Sequence, residues 1–193
     1  MTVNDKTSLS TIKSLIDDLL IKKENVIIGI DGMAASGKTT LAERLKEQYS
    51  ALVINIDDFF LQDYQKTDKR LSEVDGFIDY ERFEEEVINP LKKKVFTKYY
   101  QYNCQTKEMI ERIIKDEYQV YIIEGAYSLR DSFIDIYDLK ILKLINEKEQ
   151  ISRISKRNPS HLVKRFIEEW VPRENQYIKE YDLINSVDLI IKD

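Results

Sequence analysis

The feature that most constrains the fold is a glycine-rich segment between an apolar run and a helical pattern. Residues 26–30 read VIIGI, and a continuous apolar run of this kind is typical of a strand buried on both faces. The chain continues as DGMAASGKTT, in which Gly32 and Gly37 enclose four residues, and a helical pattern covers residues 38–49. This order of strand, glycine loop and helix predicts a phosphate-binding loop in an α/β fold.

The residue types in this loop favour the binding of a nucleoside triphosphate and leave open whether it is ATP or GTP. Glycines let the backbone curl so that successive N–H groups point at one anion, and the positive end of the following helix adds to the attraction. We expect Lys38 to reach the β- and γ-phosphates and the Thr39 hydroxyl to bind Mg²⁺. The predicted nucleotide-binding residues are Gly32, Ala34, Ala35, Ser36, Gly37, Lys38, Thr39 and Thr40.

Four further apolar runs predict the other strands of a parallel sheet. They cover residues 51–56, 120–123, 139–145 and 187–191. Because helical patterns alternate with these runs, we expect a three-layer P-loop NTPase fold, an α/β fold with a parallel five-stranded sheet and helices on both faces. We expect a single domain over residues 1–193, a length that one hydrophobic core can serve.

Helical spacing of apolar residues predicts helices between the strands, and two stretches are irregular in pattern. Residues 61–78 are polar and mixed and predict a mobile loop, whereas residues 96–103 are aromatic and predict a short hairpin. We expect Pro90 to break one helix and Pro172 to lie in the first turn of another. The predicted helices cover residues 7–22, 38–49, 80–95, 109–118, 147–157 and 159–171.

Two of the predicted strands end in carboxylates. Asp57 and Asp58 follow the strand at 51–56, and Glu124 follows the strand at 120–123. In an open parallel sheet, ligands bind beyond the carboxyl ends of the strands. A carboxylate there could accept a proton from an attacking hydroxyl or hold Mg²⁺ through water, or it could simply cap a turn. The residues alone leave these alternatives open.

A pair of arginines follows the fourth predicted strand. Arg153 and Arg157 are four residues apart and therefore share one helix face. They could offset the negative charge that builds up during phosphoryl transfer, or they could form a solvated basic face. His161, the single histidine, has no partner motif, and we expect it to be a surface or capping residue.

Composition disfavours several classes of partner. A net charge of −5 argues against nucleic acid, which requires a basic surface. With Cys104 as its one cysteine the chain forms no intramolecular disulfide, which fits a reducing compartment. The apolar runs are too short to span a membrane, so we expect no membrane partner and a cytoplasmic location. The sequence leaves open whether the chain forms a homo-oligomer.

Six segments in a fixed order resemble the uridine kinase and phosphoribulokinase-like family of P-loop kinases. They read GMAASGKTT, NIDDFF, IDYERFEEEVINPL, VYIIEGAYSL, YDLKILKLI and EEWVPRENQYI, and the likeness spans residues 24–191. The resemblance implies ATP and Mg²⁺ as cofactors and a small-molecule hydroxyl acceptor. It also implies a parallel five-stranded core and a small helical lid, which would cover about residues 147–172.

The resemblance further implies roles for individual carboxylates and arginines. Asp57 matches the base that takes the proton from the acceptor hydroxyl, and Asp58 is ranked second for that role. Asp79 matches an aspartate that holds sugar hydroxyls, and Glu124 matches an active-site glutamate linked to the metal. The lid arginines of the family correspond to Arg153 and Arg157.

The acceptor is where the sequence departs from the family pattern. Uridine kinases usually have a tyrosine-rich segment that ends in His and Arg, and here the stretch reads KYYQYNCQTKE, with neither. Tyr99, Tyr100 and Tyr102 could still stack on a ring. Uridine or cytidine remains the leading acceptor, with nicotinamide riboside, pantothenate or another small alcohol as alternatives. A non-kinase nucleotide-binding protein is a further alternative, although the Asn-Lys-x-Asp motif of GTP switches is absent.

Overall fold

Six parallel strands form the central sheet of the computed structural model, which describes residues 1–192. The strands in chain order are β1 (Thr2–Asn4), β2 (Val26–Gly32), β3 (Leu52–Asn55), β4 (Lys98–Asn103), β5 (Glu108–Ile113), β6 (Val120–Glu124), β7 (Leu139–Leu144) and β8 (Leu189–Lys192). The sheet has the spatial order β1-β8-β7-β2-β6-β3, and β4 and β5 form a separate antiparallel hairpin. Strand β2, which leads into the glycine loop, therefore lies inside the sheet between β7 and β6.

Nine α-helices connect and flank these strands in the described part of the chain. They are α1 (Asp5–Leu20), α2 (Lys38–Tyr49), α3 (Asp68–Ser72), α4 (Tyr80–Phe83), α5 (Asn89–Lys92), α6 (Glu147–Arg157), α7 (Ser160–Arg165), α8 (Val171–Glu180) and α9 (Leu183–Ser186). Two π-helical segments, Glu84–Ile88 and Phe166–Trp170, join α4 to α5 and α7 to α8. None of the helices within residues 1–192 is long and apolar enough to cross a membrane.

Helices cover both faces of the sheet, which confirms the predicted three-layer α/β fold. On one face, Ile12 and Ile16 of α1 and Leu45 of α2 pack against the sheet and are fully buried. The other face is covered by side chains such as Phe83 and Tyr177, which are equally buried. Burying one such apolar side chain contributes about 1.5–3 kcal/mol, so the two clusters fix the sheet between its helices.

The prediction of five strands is wrong by one strand. Residues 2–4 form β1, which pairs in parallel with β8 through Thr2 and Ile190, Val3 and Ile191, and Asn4 and Lys192. Such a short strand contains too few residues to show an alternating apolar pattern. It exists because the exposed edge of β8 offers backbone groups with which an adjacent chain segment can pair.

The predicted helix over 109–118 is also wrong, because residues 108–113 form β5. The paired apolar residues at 109–110 and 113–114 suggested helical spacing, but most of β5 is exposed, so the pattern does not report burial. The turn between β4 and β5 stabilises the hairpin. The Asn103 side chain accepts hydrogen bonds from the N–H groups of Gln105 at 2.9 Å and Thr106 at 3.2 Å, and Lys107 adopts a φ of 62°.

Pro90, which was expected to break a helix, lies in a continuous helical stretch, whereas Pro172 lies in the first turn of α8, as predicted. Pro90 is the second residue of α5, and Pro172 is the second residue of α8, and each follows a five-residue π segment. A proline lacks the N–H group and clashes with the carbonyl four residues earlier. The wider π turn just before each proline accommodates that clash, so the helix continues.

Residues 61–78, predicted to be a loop, contain α3 and a short 3₁₀ turn at Asp63–Gln65.

Candidate active site

The glycine-rich loop connects β2 to α2 at the carboxyl edge of the sheet. Gly32 and Gly37 have φ angles of 136° and 88°, and Ala35 between them has a φ of 61°. A Cβ atom at Gly32 would lie 2.0 Å from the carbonyl oxygen of Lys143, so only glycine fits there. These left-handed residues curl the backbone between strand and helix, which is the geometry of a phosphate-binding loop.

A cavity of about 530 Å³ opens above this loop. Predicted residues on its wall are Ala34, Ala35, Gly37, Lys38, Thr39, Thr40, Asp57, Glu124, Arg153 and Arg157. The cavity is also lined by residues that the sequence did not single out, namely Phe60, Phe77, Gly125, Ala126, Tyr127, Phe166, Trp170 and Glu174. The topology therefore collects side chains from the loop, from the ends of β3 and β6, and from the α6–α8 region around one space.

Lys38 is held at the centre of the loop. Its Nζ donates hydrogen bonds to the carbonyl oxygens of Gly32 at 2.8 Å and Met33 at 3.1 Å. The same ammonium group lowers the pKa values of the carboxyls of Asp57 and Glu124, against the larger effect of burial, which raises them. The lysine is thus placed where its charge acts on the carboxylates at both neighbouring strand ends.

Thr39 and Glu124 form the candidate metal position. The Thr39 hydroxyl donates to Glu124 Oε1 at 3.1 Å, and the Asn55 side chain donates to the same oxygen at 3.0 Å. Within residues 1–192 there is no group of three or more His, Cys, Asp or Glu side chains that could hold a metal ion alone. A hydroxyl beside a carboxylate fits Mg²⁺, which usually keeps several waters and takes phosphate oxygens as further ligands.

The adjacent aspartates after β3 lie in different environments. The Asp58 carboxylate accepts a hydrogen bond of 2.9 Å from the Tyr99 hydroxyl and does not line the cavity. Asp57 is exposed on the cavity wall, and its carboxylate has no hydrogen-bond or ion-pair partner within the described residues. Surrounding protein raises the pKa of the Asp57 carboxyl, Lys38 and Arg157 oppose that shift, and Asp58 adds to it. Asp57 is therefore the one of the two that can face a bound acceptor.

The structure does not bring the other predicted acceptor residues to the cavity wall. Asp79 caps α4 by accepting from the Arg82 N–H at 3.1 Å, and its other oxygen accepts from the Gln65 amide at 2.8 Å. Tyr99 and Tyr102 are buried, at 7% and 4% exposure. Neither these tyrosines nor Asp79 is among the residues that line the cavity.

Helix α6 contacts the loop from the side opposite β3. Gln150 donates from its amide to the Ala34 carbonyl oxygen at 3.1 Å, and Arg153 Nη1 donates to the Ala35 carbonyl oxygen at 3.3 Å. Arg153 also pairs with Glu149 at 2.8 Å, and Arg157 lies one turn further along the cavity wall. Both predicted lid arginines therefore lie on the cavity wall, and Arg153 contacts the glycine loop directly.

Two carboxylates that contact the loop were missed by the sequence reasoning. Asp31, buried at the end of β2, accepts hydrogen bonds from the Leu129 N–H and the Tyr177 hydroxyl, each at 2.9 Å. Glu174 accepts a hydrogen bond of 2.7 Å from the Ala34 N–H, and burial raises its pKa to about 7 while Lys38 opposes the shift. Glu174 lies on the buried face of α8 with Tyr177, so a carboxylate in an apolar stripe was the available signal.

The loop also contains a buried polar group without a partner among the described residues. The Ser36 hydroxyl oxygen is buried and makes no hydrogen bond within that part of the chain. Buried polar atoms in folded proteins are almost always satisfied, and an orphan calls for an explanation. Together with the positive φ angles of the loop, the free hydroxyl fits an anion that binds at this position.

Comparisons with known proteins agree with the fold. No protein-family model matches the sequence, and no curated protein matches it. Among solved structures, a possible uridine kinase from Bacillus stearothermophilus superimposes with a TM-score of 0.66 at 18% identity, covering 94% of this chain and 99% of that one. A candidate fructose transport system kinase from Silicibacter sp. TM1040 superimposes with a TM-score of 0.63 at 19% identity, covering 92% of this chain and 97% of that one. At such low identity, these likenesses show a shared fold.

Proposed function

We propose that the chain is a P-loop kinase that transfers the γ-phosphate of ATP to a hydroxyl group of a small molecule. The observation that carries this proposal is the placement of Asp57 and the Lys38 loop on one cavity wall. A phosphate-binding loop alone is common to many nucleotide-binding proteins. A carboxylate without a protein partner, facing the same cavity, adds a group that can receive the proton of an attacking alcohol. The kinase descriptions of the two structural neighbours support the same reaction class.

We assign the role of general base to Asp57. Its pKa is raised, chiefly because surrounding protein restricts water around the carboxyl. A raised pKa makes the carboxylate a stronger proton acceptor, which brings it closer to the optimum for a base near neutral pH. The positive charges of Lys38 and Arg157 oppose this shift and favour the ionised form, which is the form that accepts a proton.

The cations around the cavity would stabilise the charge that develops on the transferring phosphoryl group. Lys38 is the first residue of α2, and Arg153 and Arg157 line the cavity from α6. Fixed cations of this kind lower the barrier because they are already oriented before the reaction starts. Thr39 and Glu124 would hold Mg²⁺, which neutralises phosphate charge when it is bound.

The segment over residues 147–172 is the lid in this proposal. Its first helix, α6, contacts the loop through Gln150 and Arg153, and its π segment places Phe166 and Trp170 on the cavity wall. The two rings pack edge to face at 4.4 Å. An apolar cover over the phosphate region excludes water, so ATP is not wasted by hydrolysis when the acceptor is bound.

The acceptor we favour is a nucleoside such as uridine or cytidine, with other small alcohols as alternatives. Phe60 and Phe77 on the wall beside Asp57 offer aromatic surface for a ring. In this proposal Asp79 and Tyr99 do not contact the acceptor but position residues near the cavity wall. Asp79 fixes Arg82 by an ion pair of 3.3 Å, and Tyr99 holds Asp58 away from the cavity.

A panel of nucleosides and vitamin-like alcohols, each supplied with Mg²⁺ and ATP, tests the proposal. We expect ADP formation that depends on one class of acceptor and is low without it. An equally low rate with every acceptor and with none would contradict the kinase assignment. Asp57→Asn should lower the acceptor-dependent rate by about 10²–10⁴-fold while ATP still binds.

A further inference from the structure

The peptide group of Ala34 in the glycine loop is held on both sides. Its N–H donates to Glu174 Oε2 of α8 at 2.7 Å, and its carbonyl oxygen accepts from Gln150 Nε2 of α6 at 3.1 Å. Both side chains are buried, at 7% exposure for Glu174 and 0% for Gln150. A charge-assisted hydrogen bond of this length is among the stronger contacts a backbone amide can make. One donor of the phosphate loop is therefore engaged by a carboxylate from the same chain.

A phosphate oxygen and the Glu174 carboxylate would compete for this donor. An N–H group has one proton to give, so a phosphate bound at Ala34 must displace the carboxylate oxygen. A carboxylate left beside a phosphate would also repel it, and the repulsion is strong where water is scarce. Displacing Glu174 therefore lowers the affinity for any ligand that places an anionic oxygen at this end of the loop.

The position of Glu174 indicates which phosphate group meets it. Glu174 lines the same cavity as Lys38 and Asp57, the two residues that meet the terminal phosphate and the attacking hydroxyl in the proposed function. In the proposed function Asp57 faces the attacking hydroxyl, so its side of the cavity is the side of the terminal phosphate. At the other end of the loop, Gly37 is the N-cap of α2, and in the proposed function the positive end of that helix attracts the phosphates nearer the nucleoside.

We propose that Glu174 sets the discrimination of this site between nucleoside triphosphates and diphosphates, because its carboxylate competes with the terminal phosphate alone for the Ala34 N–H. The inference rests on the proposed function, since it needs a nucleotide in the loop. A triphosphate binds only after the carboxylate has withdrawn or has been neutralised. A diphosphate leaves the contact between Glu174 and Ala34 intact. In the wild-type chain this competition therefore lowers the affinity for ATP and leaves the affinity for ADP unchanged.

Equilibrium binding of a β,γ-imido analogue of ATP and of ADP to the full chain, each with Mg²⁺, tests this inference. Glu174→Gln keeps the size of the side chain and an oxygen that can accept from Ala34, and it removes the charge. We expect the variant to bind the triphosphate analogue on the order of 10-fold more tightly and to bind ADP within about twofold of the wild type. Glu180→Gln, an exposed position on the same helix, is the matched control and should change neither affinity.

Each other outcome has a defined meaning. Equal tightening of both nucleotides by Glu174→Gln, or no tightening of the triphosphate analogue, overturns the inference and leaves the proposed function standing. A wild-type chain that binds neither nucleotide overturns the proposed function and this inference with it. Glu174→Ala removes both the charge and the contact, and it should give the same selective gain. If the glutamine variant fails to fold, the alanine variant decides by the same criteria.

Discussion

The hydroxyl of Tyr99 donates a hydrogen bond of 2.9 Å to the carboxylate of Asp58. The two adjacent aspartates therefore lie in different environments, because Asp58 is held by the β4–β5 hairpin and Asp57 faces the cavity. The family resemblance ranked Asp57 first as the base, but both residues follow the same strand, and their own positions in the sequence left the choice open. The geometry supports Asp57 as the base.

Paired substitutions test that assignment. Asp57→Asn should lower kcat by about 10²–10⁴-fold, the usual effect of removing a general base, with little change in the binding of ATP. Asp58→Asn keeps a group that can accept from Tyr99, so kcat should stay within about threefold of the wild type. Steady-state rates with the best acceptor of the panel decide the matter. Equal losses in the two variants would show that Asp57 is not the base.

Lys38 provides a test of the phosphate loop. Lys38→Ala removes the ammonium group that bonds to Gly32 and Met33, and we expect weaker binding of the triphosphate analogue and a loss of transfer. Lys46→Ala, on the exposed side of the same helix, is the control and should behave like the wild type. Titration calorimetry reports the affinity and an ADP-coupled assay the rate. A Lys38→Ala protein with normal values for both would rule out the loop as the triphosphate site.

The contact between Thr39 and Glu124 predicts a specific metal defect. Glu124→Gln removes the negative charge beside the Thr39 hydroxyl, so we expect the Mg²⁺ concentration for half-maximal rate to rise by about 10–100-fold. The rate at saturating Mg²⁺ should recover at least in part. Glu47→Gln, at an exposed acid on α2, should leave the metal requirement unchanged. A lower rate with an unaltered requirement for Mg²⁺ would place Glu124 outside the metal site.

Glu174 predicts a pH dependence of stability. Its pKa rises from an ordinary value of 4.5 to about 7 on folding, because burial outweighs the attraction of Lys38 and is reinforced by Asp31 and Asp57. The folded chain therefore holds more protons than the unfolded chain between these pH values, and stability falls as the pH rises through this window. The penalty is complete above about pH 7 and amounts to about 3 kcal/mol at most.

Urea unfolding of the wild type and of Glu174→Gln at pH 5 and pH 8 measures this effect. Because glutamine does not ionise, the variant should gain free energy of unfolding relative to the wild type as the pH is raised. Comparing the two proteins at each pH cancels the titration of the other carboxyls. Parallel pH profiles would mean that Glu174 does not titrate with folding.

The sequence predicted those parts of the molecule that depend on local pattern. Continuous apolar runs located five of the six strands of the sheet, and the spacing of Gly32, Gly37 and Lys38 located the loop. Three-residue β1 could not be predicted, because its pairing depends on the free edge of β8 and not on its own residues. A short hairpin was predicted within residues 96–103, but that stretch supplies only its first strand, β4. The second strand, β5, was missed because it is largely exposed and the turn before it depends on the side chain of Asn103.

The candidate site was predictable to the extent that its residues follow strand ends. Asp57, Glu124 and the two arginines reach the cavity as expected, whereas Asp79 and the tyrosines of β4 lie behind its wall. Which side of a short segment faces the cavity is settled by tertiary packing, and the sequence carries little information about it. The position of Glu174 could not be predicted for the same reason. It lies 140 residues after Ala34 in the sequence, and only tertiary packing brings the two into contact.

The central claim, transfer of the γ-phosphate to an organic hydroxyl, is tested most directly by identifying the product. The full chain is incubated with Mg²⁺, ATP and the acceptor that stimulates ADP release, and mass spectrometry follows the acceptor, ADP and inorganic phosphate. Our account predicts a phosphate monoester of the acceptor in an amount equal to the ADP formed, and its loss in Asp57→Asn. Formation of ADP with inorganic phosphate and an unmodified acceptor would contradict it.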